Sequence, residues 1–67
     1  MGRKRLKEAR IMRNMTVREV ADTLGCSVQS FFAYESGTRD PKIERMSRFA
    51  ELYGTTVEEL FFPKEEA

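Results

Sequence analysis

Four residues in the middle of the chain have types and spacing that suit contact with the edges of DNA bases. Val28 and Phe32 lie four residues apart, as do Gln29 and Ala33, so on a helix the two pairs share one face. That face carries no charge. A glutamine amide can pair with adenine in the major groove, and apolar groups can contact thymine methyls there. The alternatives are a solvated glutamine, a loosely packed edge of the core at Val28 and Phe32, and a protein-binding patch that includes Phe32.

Two short helices with a tight corner between them must position this face. Thr16 and Glu19 have the spacing of a capping box at the start of the first helix. Its apolar residues recur at helical spacing, and Gly25 then permits the left-handed backbone that a corner needs. Ser27 is placed to cap a second helix that runs to about Glu35. This order of elements is typical of a helix-turn-helix unit.

Further positions between residues 5 and 62 follow one known pattern. They are Arg5-Leu6-Lys7-Glu8-Ala9-Arg10, Met15-Thr16, Val20-Ala21, Gly25-Cys26-Ser27, Tyr34-Glu35-Ser36-Gly37, Pro41, Phe49-Ala50, Tyr53-Gly54 and Val57-Glu58-Glu59-Leu60-Phe61. The Tyr-Glu-x-Gly element at this distance from Gly25, followed by Pro41, is the most specific of them. On these residues the chain resembles the small helix-turn-helix regulators of the phage repressor and Cro type, also called XRE-type.

The resemblance implies an all-α fold, a compact five-helix lambda-repressor-like DNA-binding domain. We expect a basic arm at residues 1–4, the helix-turn-helix domain at 5–62 and a charged tail at 63–67. The implied function is sequence-specific binding of double-stranded DNA by a transcriptional regulator, in our interpretation a repressor that binds a two-fold operator as a homodimer. The implied base-reading positions lie on the second helix of the pair and at its cap: Ser27, Val28, Gln29, Phe32 and Ala33.

Contacts to DNA phosphates are implied at a second set of positions. They are Arg10, Arg13, Thr16, Val17, Arg18, Ser30, Arg39 and Lys42. At Val17 the family commonly has a glutamine that contacts a phosphate, which a valine side chain cannot do. We therefore expect that contact to come from backbone N–H groups, the Thr16 hydroxyl or Arg18. For Arg13, Arg39 and Lys42 a solvated charge is the alternative.

Arg10 and Glu35 match a family pair that forms a salt bridge between the first and third helices. A partly buried ion pair of this kind fixes how two helices meet, so a structural role is favoured for both residues.

The remaining helices are predicted from apolar spacing and caps. A helix from about Arg5 to Arg13 has Leu6 and Ala9 on its inner side. A later helix from about Ile43 to Tyr53 has an apolar stripe of Ile43, Met46, Phe49, Ala50 and Tyr53. The last helix follows Thr56, for which Glu59 would complete a second capping box, with Val57, Leu60 and Phe61 facing inward. We expect Leu24, Phe31, Tyr34, Phe49 and Leu60 to meet in one core.

Composition limits the other possibilities. A chain of 67 residues has room for one small domain, and its single cysteine, Cys26, excludes an intramolecular disulfide and is interpreted as a small buried apolar residue. The chain has no histidine, no nucleophile beside a base and no glycine-rich phosphate loop, so we predict no enzyme activity, no metal site, no cofactor and no small-molecule ligand. No apolar run approaches the length of a membrane span, and we expect a cytoplasmic protein.

The distribution of charge is more informative than its sum. Net charge is +1, but residues 1–18 contain seven basic side chains and one acidic side chain, whereas residues 44–67 contain three basic and six acidic ones. One end is therefore suited to phosphate. Arg3, Lys4 and Arg5 place positive charge where it opposes the dipole of the first helix, which either a phosphate-seeking arm or solubility would explain.

A protein-interaction module on the same fold is the rival interpretation. Val28, Phe32, Ile11 and Met12 would form its surface, and an antitoxin-like or anti-repressor partner would be typical. The dependence of binding on salt distinguishes the two interpretations, because DNA binding weakens steeply with salt and binding through an apolar interface does not.

Overall fold

Five α-helices make up the computed structural model, which describes residues 3–63. They are α1 (Lys4–Met12), α2 (Val17–Leu24), α3 (Val28–Ser36), α4 (Ile43–Tyr53) and α5 (Val57–Phe61). Residues 3–63 contain no β-strand. The prediction of an all-α, five-helix domain with a helix-turn-helix is confirmed.

Local caps set the beginnings of α2, α3 and α5. The hydroxyls of Thr16, Ser27 and Thr56 each accept a hydrogen bond from the N–H three residues later. At Thr16 the capping box is complete, because the Glu19 carboxylate also accepts the Thr16 N–H at 2.8 Å. The second predicted capping box is only half formed. The Glu59 carboxylate accepts a hydrogen bond from Arg5 at 3.0 Å, which draws it toward α1.

Gly25 forms the corner between α2 and α3. Its φ of 73° lies in the left-handed region, and its backbone N–H is directed at the carbonyls of Ala21 and Asp22 in the last turn of α2. A residue with a side chain would be strained in this conformation, so glycine allows the two helices to follow each other with only residues 25–27 between them. Asn14 adopts the same conformation after α1, with φ of 61°.

Phe49 of α4 lies at the centre of the core and is fully buried. Its ring centroid lies 6.0 Å from that of Phe31, 6.2 Å from Tyr34, 5.9 Å from Tyr53 and 5.5 Å from Phe61. Two of these pairs, Phe49 with Tyr34 and Phe49 with Phe61, approach edge to face, a favourable arrangement for aromatic rings. Leu24, Phe31, Tyr34 and Leu60 are also buried, so the predicted core is confirmed.

The apolar stripe predicted for α4 is wrong at its first residue. Ile43 is 63% exposed, whereas Met46, Phe49, Ala50 and Tyr53 are buried. The Cα–Cβ bonds of a helix tilt toward its N-terminus. A side chain at the first helical position therefore leans off the end of the helix and away from the core.

The start of α1 also differs from the prediction. The helix begins at Lys4 and ends at Met12, one residue earlier at each end than expected. Arg3 precedes it and is tied to α3, because its backbone N–H donates to the Glu35 carbonyl at 2.7 Å. Arg3 and Lys4 thus do not belong to an arm apart from the fold. Residues 1–2 of the predicted arm and 64–67 of the predicted tail lie outside the described residues.

Candidate nucleic-acid interface

Helix α3 presents one buried side and one exposed side. Phe31 and Tyr34 pack in the core, and Gln29, Phe32 and Ser36 are exposed. The exposed residues recur at intervals of three and four, so they lie on a single face. This exposed face begins at Gln29, shortly after the Gly25 corner.

Gln29 and Phe32 form the accessible part of this face. The Phe32 ring is 53% exposed and meets Phe31 edge to face at a centroid distance of 6.5 Å. It is therefore supported from below by a core residue and directed outward. An exposed amide beside a supported ring offers a hydrogen-bonding group and an apolar surface side by side.

Val28 and Ala33 differ from the sequence-based description of an outer face. Both are only partly exposed, and Val28 packs against the core. The reason is its position three residues before Phe31, which puts it on the edge of the buried stripe as well as beside Phe32. Val28 is therefore less exposed than Gln29 and Phe32. Any base contact by Val28 would be made from the edge of the exposed face.

The two serines at the start of α3 are engaged with each other. The Ser27 hydroxyl accepts the Ser30 N–H at 3.0 Å and donates to Ser30 Oγ at 3.1 Å. Ser27 is thus committed to capping, and a base contact by Ser27 would compete with the cap. The Ser30 hydroxyl retains a hydrogen that could be donated to a phosphate oxygen.

The start of α2 offers a set of hydrogen-bond donors. The Thr16 hydroxyl accepts the Glu19 N–H at 3.1 Å and can still donate its own hydrogen. The N–H groups of Val17 and Arg18 belong to the first turn, where a helix supplies no carbonyl partner. The Val17 side chain packs against the core, and Arg18 is exposed. A phosphate at this end would therefore meet backbone donors and one flexible guanidinium.

Arg39 and Lys42 lie on the loop between α3 and α4, and both are exposed. The Arg39 guanidinium carbon is 6.0 Å from the centre of the Tyr34 ring, at the limit of a cation–π contact. Lys42 immediately precedes α4 and forms no side-chain cap.

Two further arginines, which sequence reasoning missed, extend this basic surface. Arg45 and Arg48 line one groove together with Arg39 and Lys42. Arg45 donates to the Tyr34 hydroxyl at 3.2 Å, and Arg48 donates to the Thr23 carbonyl at 3.2 Å. The signal was present in the sequence, because positions 39, 42, 45 and 48 are basic at every third residue. Asp40 and Glu44 also line the groove and moderate its charge.

Arg10 is held inside the fold. Its Nε donates to Glu35 Oε2 at 2.9 Å, and its Nη1 donates to the Met15 carbonyl at 3.2 Å. The Arg10 and Glu35 side chains are 14% and 10% exposed. The ion pair implied by the resemblance is thus present between α1 and α3, and it leaves little of Arg10 for a phosphate.

Arg13 contacts the end of another helix. Its Nε and Nη2 atoms donate to the Tyr53 carbonyl, the last of α4, at 3.3 and 3.1 Å. A cation at a helix C-terminus is favourable for the helix dipole. A Cβ on Gly54 would collide with Arg13 Nη2, so the missing side chain makes room for this contact. The geometry gives Arg13 a structural task that the sequence did not reveal.

Within residues 3–63, no group of three or more His, Cys, Asp or Glu side chains is arranged to hold a metal ion. Cys26 is partly buried and packs against the core. None of the described helices has both the length and the apolar character required to cross a membrane.

Comparison with known proteins gives a consistent result. A family model described as helix-turn-helix matches residues 6–60. The chain is 34% identical over 56 residues to the cryptic phage CTXphi transcriptional repressor RstR of Vibrio cholerae, covering 84% of this chain and 50% of that protein. It is 38% identical over 60 residues to the HTH-type transcriptional regulator AnsR of Bacillus subtilis strain 168, covering 90% of this chain and 52% of that protein.

A third relative has a similar length. An uncharacterized HTH-type transcriptional regulator of Methanocaldococcus jannaschii is 33% identical over 57 residues, covering 85% of this chain and 86% of that protein. The chain thus spans about half the length of the first two relatives and most of the third. No solved structure matches it.

Proposed function

The chain belongs to the helix-turn-helix family of the phage repressor and Cro type, and on that premise we propose that it is a sequence-specific DNA-binding transcriptional repressor that acts as a homodimer. The observation that carries the proposal is the exposed face of α3, where Gln29 and a supported Phe32 ring follow the Gly25 corner. A relative named as a transcriptional repressor supports repression over activation.

In the proposed complex α3 lies in the major groove. Gln29 pairs with adenine, and Phe32 contacts a neighbouring thymine methyl. Guanine is most often read by arginine or lysine, and the exposed face of α3 has neither. Half-sites should therefore present A·T pairs to this helix, with guanines acting mainly through DNA shape.

Phosphate contacts would flank α3 on both sides. On one side are the first-turn N–H groups of α2, the Thr16 hydroxyl and Arg18. On the other side are Arg39 and Lys42, with Arg45 and Arg48 behind them in the same groove. These contacts would orient the domain and supply most of the non-specific affinity.

A dimer follows from the small footprint of one domain. A single recognition helix reaches only a few base pairs, so useful specificity requires two half-sites related by two-fold symmetry and about 34 Å apart. A regulator of this kind acts where the DNA is, and we propose a cytoplasmic location on that ground alone.

Selection of bound duplexes from a random DNA library tests the proposal. We expect a two-fold sequence with A·T pairs at the α3 positions and an affinity that falls by orders of magnitude between low and moderate salt. A library without enrichment, together with an affinity that does not respond to salt, would overturn it.

A protein-interaction module is the second candidate, because several large apolar side chains are exposed. Met12 is 84%, Ile11 56% and Phe32 53% exposed. Phe32→Ala separates the two uses of that ring. Loss of discrimination between thymine and uracil at one position would support contact with DNA, whereas loss of dimerisation without DNA would support an interface.

A further inference from the structure

Arg3 connects the start of α1 to the end of α3. Its backbone N–H donates to the Glu35 carbonyl at 2.7 Å, and its Nη1 donates to the Tyr34 carbonyl at 2.6 Å. The same Nη1 donates to the Arg39 carbonyl at 2.9 Å. One residue thus binds two carbonyls of the last turn of α3 and one carbonyl of the loop that follows.

The rest of the Arg3 side chain is also engaged. Nη2 forms an ion pair with the Asp40 carboxylate, and the guanidinium carbon lies 5.4 Å from the centre of the Phe61 ring. The side chain is 17% exposed, against 73% for Asp40. Arg3 therefore contacts α3, the loop that follows it and α5 at the same time.

These contacts do not serve the helix that Arg3 precedes. Arg3 makes no side-chain capping bond at the start of α1, and a positive charge there opposes the dipole of α1. The same charge lies at the C-terminus of α3, where it is favourable. Carbonyls of the last turn of a helix lack partners within that helix, and Arg3 supplies donors to two of them.

Arg3 contacts the end of α3 and the loop after it, and residues proposed to contact DNA lie on both of these elements. Gln29 and Phe32 lie on α3, and Arg39 lies on the loop after it. The N–H groups of Thr38 and Arg39 both donate to the Ala33 carbonyl, so the loop folds back tightly on α3. Arg3 donates to the Arg39 backbone carbonyl, while the Arg39 side chain extends toward the Tyr34 ring.

Asp40 gives Arg3 a second effect. An acidic side chain next to Arg39 would repel a DNA phosphate, and the ion pair with Arg3 offsets that negative charge. The effect is electrostatic and should weaken with salt, in contrast to the geometric effect of the carbonyl contacts.

We propose that Arg3 is a positioning residue for DNA binding, which fixes the C-terminal end of α3 and the Arg39 loop and offsets the charge of Asp40. The proposal rests on the proposed function. It assigns Arg3 no contact with DNA, so its influence passes through Arg39 and the orientation of α3.

Arg3→Ala, Arg39→Ala and the double variant test it by their affinity for the selected operator. Arg5→Ala is the matched control, because it removes the same charge from the start of α1 and breaks only an exposed ion pair with Glu59. All affinities are measured at a temperature where circular dichroism shows each variant to be folded. Salt titrations of each variant accompany them.

We expect Arg3→Ala to weaken operator binding about tenfold, as loss of hydrogen bonds that fix the contact segment would predict. Its salt slope should flatten by about one, as for Arg39→Ala, because the same phosphate contact is lost. The double variant should bind nearly as Arg39→Ala does, since coupled residues are not additive. Arg5→Ala should bind like the parent.

Two results would overturn the inference. In the first, Arg3→Ala binds the operator as tightly as Arg5→Ala. In the second, Arg3→Ala leaves the salt slope unchanged, and its loss of affinity simply adds to that of Arg39→Ala in the double variant. If the parent binds no DNA, the proposed function itself fails, which is a separate outcome. Arg3→Ala/Asp40→Asn divides the two effects, because recovery of affinity in this variant would assign the loss to the Asp40 charge.

Discussion

The Arg10 guanidinium donates to the Glu35 carboxylate at 2.9 Å, in a position where both side chains are largely shielded from water. Arg10 is on α1 and Glu35 is near the end of α3, so the pair fixes the angle at which the proposed recognition helix leaves the core. Removal of one partner leaves a poorly solvated charge without compensation, which costs more than the pair itself contributes.

We therefore predict that Glu35→Ala lowers the free energy of unfolding by about 3–5 kcal/mol. Arg10→Met/Glu35→Leu should lose less than either single change, because neither charge remains. Urea denaturation of Glu35→Ala, Arg10→Met and the double variant measures this difference. A double variant that is less stable than both single variants would contradict the account.

Phe49 should be the least replaceable residue of the core. Its ring contacts aromatic residues on three helices, and Phe49→Ala should cost about 3–5 kcal/mol, enough to unfold so small a domain. Phe62→Ala is the control, since that ring is 61% exposed and should change stability by less than about 0.5 kcal/mol. Thermal melts of equal midpoint for Phe49→Ala and the parent would refute the core assignment.

Tyr53 should make stability fall at alkaline pH. Burial raises the pKa of its hydroxyl above the ordinary value of 10.0, the nearby Glu35 charge raises it further, and Arg10 opposes both effects. Above the pKa of the unfolded state, the unfolded chain loses this proton while the folded protein keeps it. The stability that Tyr53 contributes is thus complete below the pKa of the hydroxyl in the unfolded state. It is lost as the pH rises from that value toward the pKa of the hydroxyl in the folded protein, at up to about 1.4 kcal/mol per pH unit.

Tyr53→Phe is the matched variant for that measurement. Among the described residues the Tyr53 hydroxyl is buried without a hydrogen-bond partner, so its removal should leave stability at pH 7 equal or higher. Above pH 10 the parent should lose stability relative to this variant. A variant that declines as steeply as the parent would show that Tyr53 is not responsible.

The sequence predicted what is determined locally. Caps such as Thr16 and Ser27, the Gly25 corner and the buried stripe around Phe31 depend on residues a few positions apart. The partners of several arginines, in contrast, lie far away in the sequence. Arg13 binds a carbonyl 40 residues away, Arg3 one 31 residues away and Arg48 one 25 residues away, each at the end of a different helix. The family resemblance made Arg13 a candidate phosphate contact, and only the fold shows its structural partner, the Tyr53 carbonyl.

The phosphate candidates should accordingly separate into two groups. Arg39→Ala and Lys42→Ala should weaken binding to all DNA sequences alike and flatten the salt slope. Arg13→Ala should instead lower the melting temperature, because the end of α4 loses its donor, and leave the salt slope unchanged. Fluorescence anisotropy titrations at several salt concentrations, with a melting curve for each variant, distinguish the groups. If Arg13→Ala has normal stability and a flattened salt slope, Arg13 contacts a phosphate and has no structural role.

The reading of bases by α3 is tested most directly by the affinity of Gln29→Ala for the selected operator and for an unrelated duplex of equal length. We predict a loss of about 1–3 kcal/mol on the operator, with relaxed choice at one base pair, because one amide reads one adenine. Affinity for the unrelated duplex should stay nearly unchanged, since that term belongs to the phosphate contacts. If Gln29→Ala binds the operator as tightly as the parent, α3 does not read the site through Gln29.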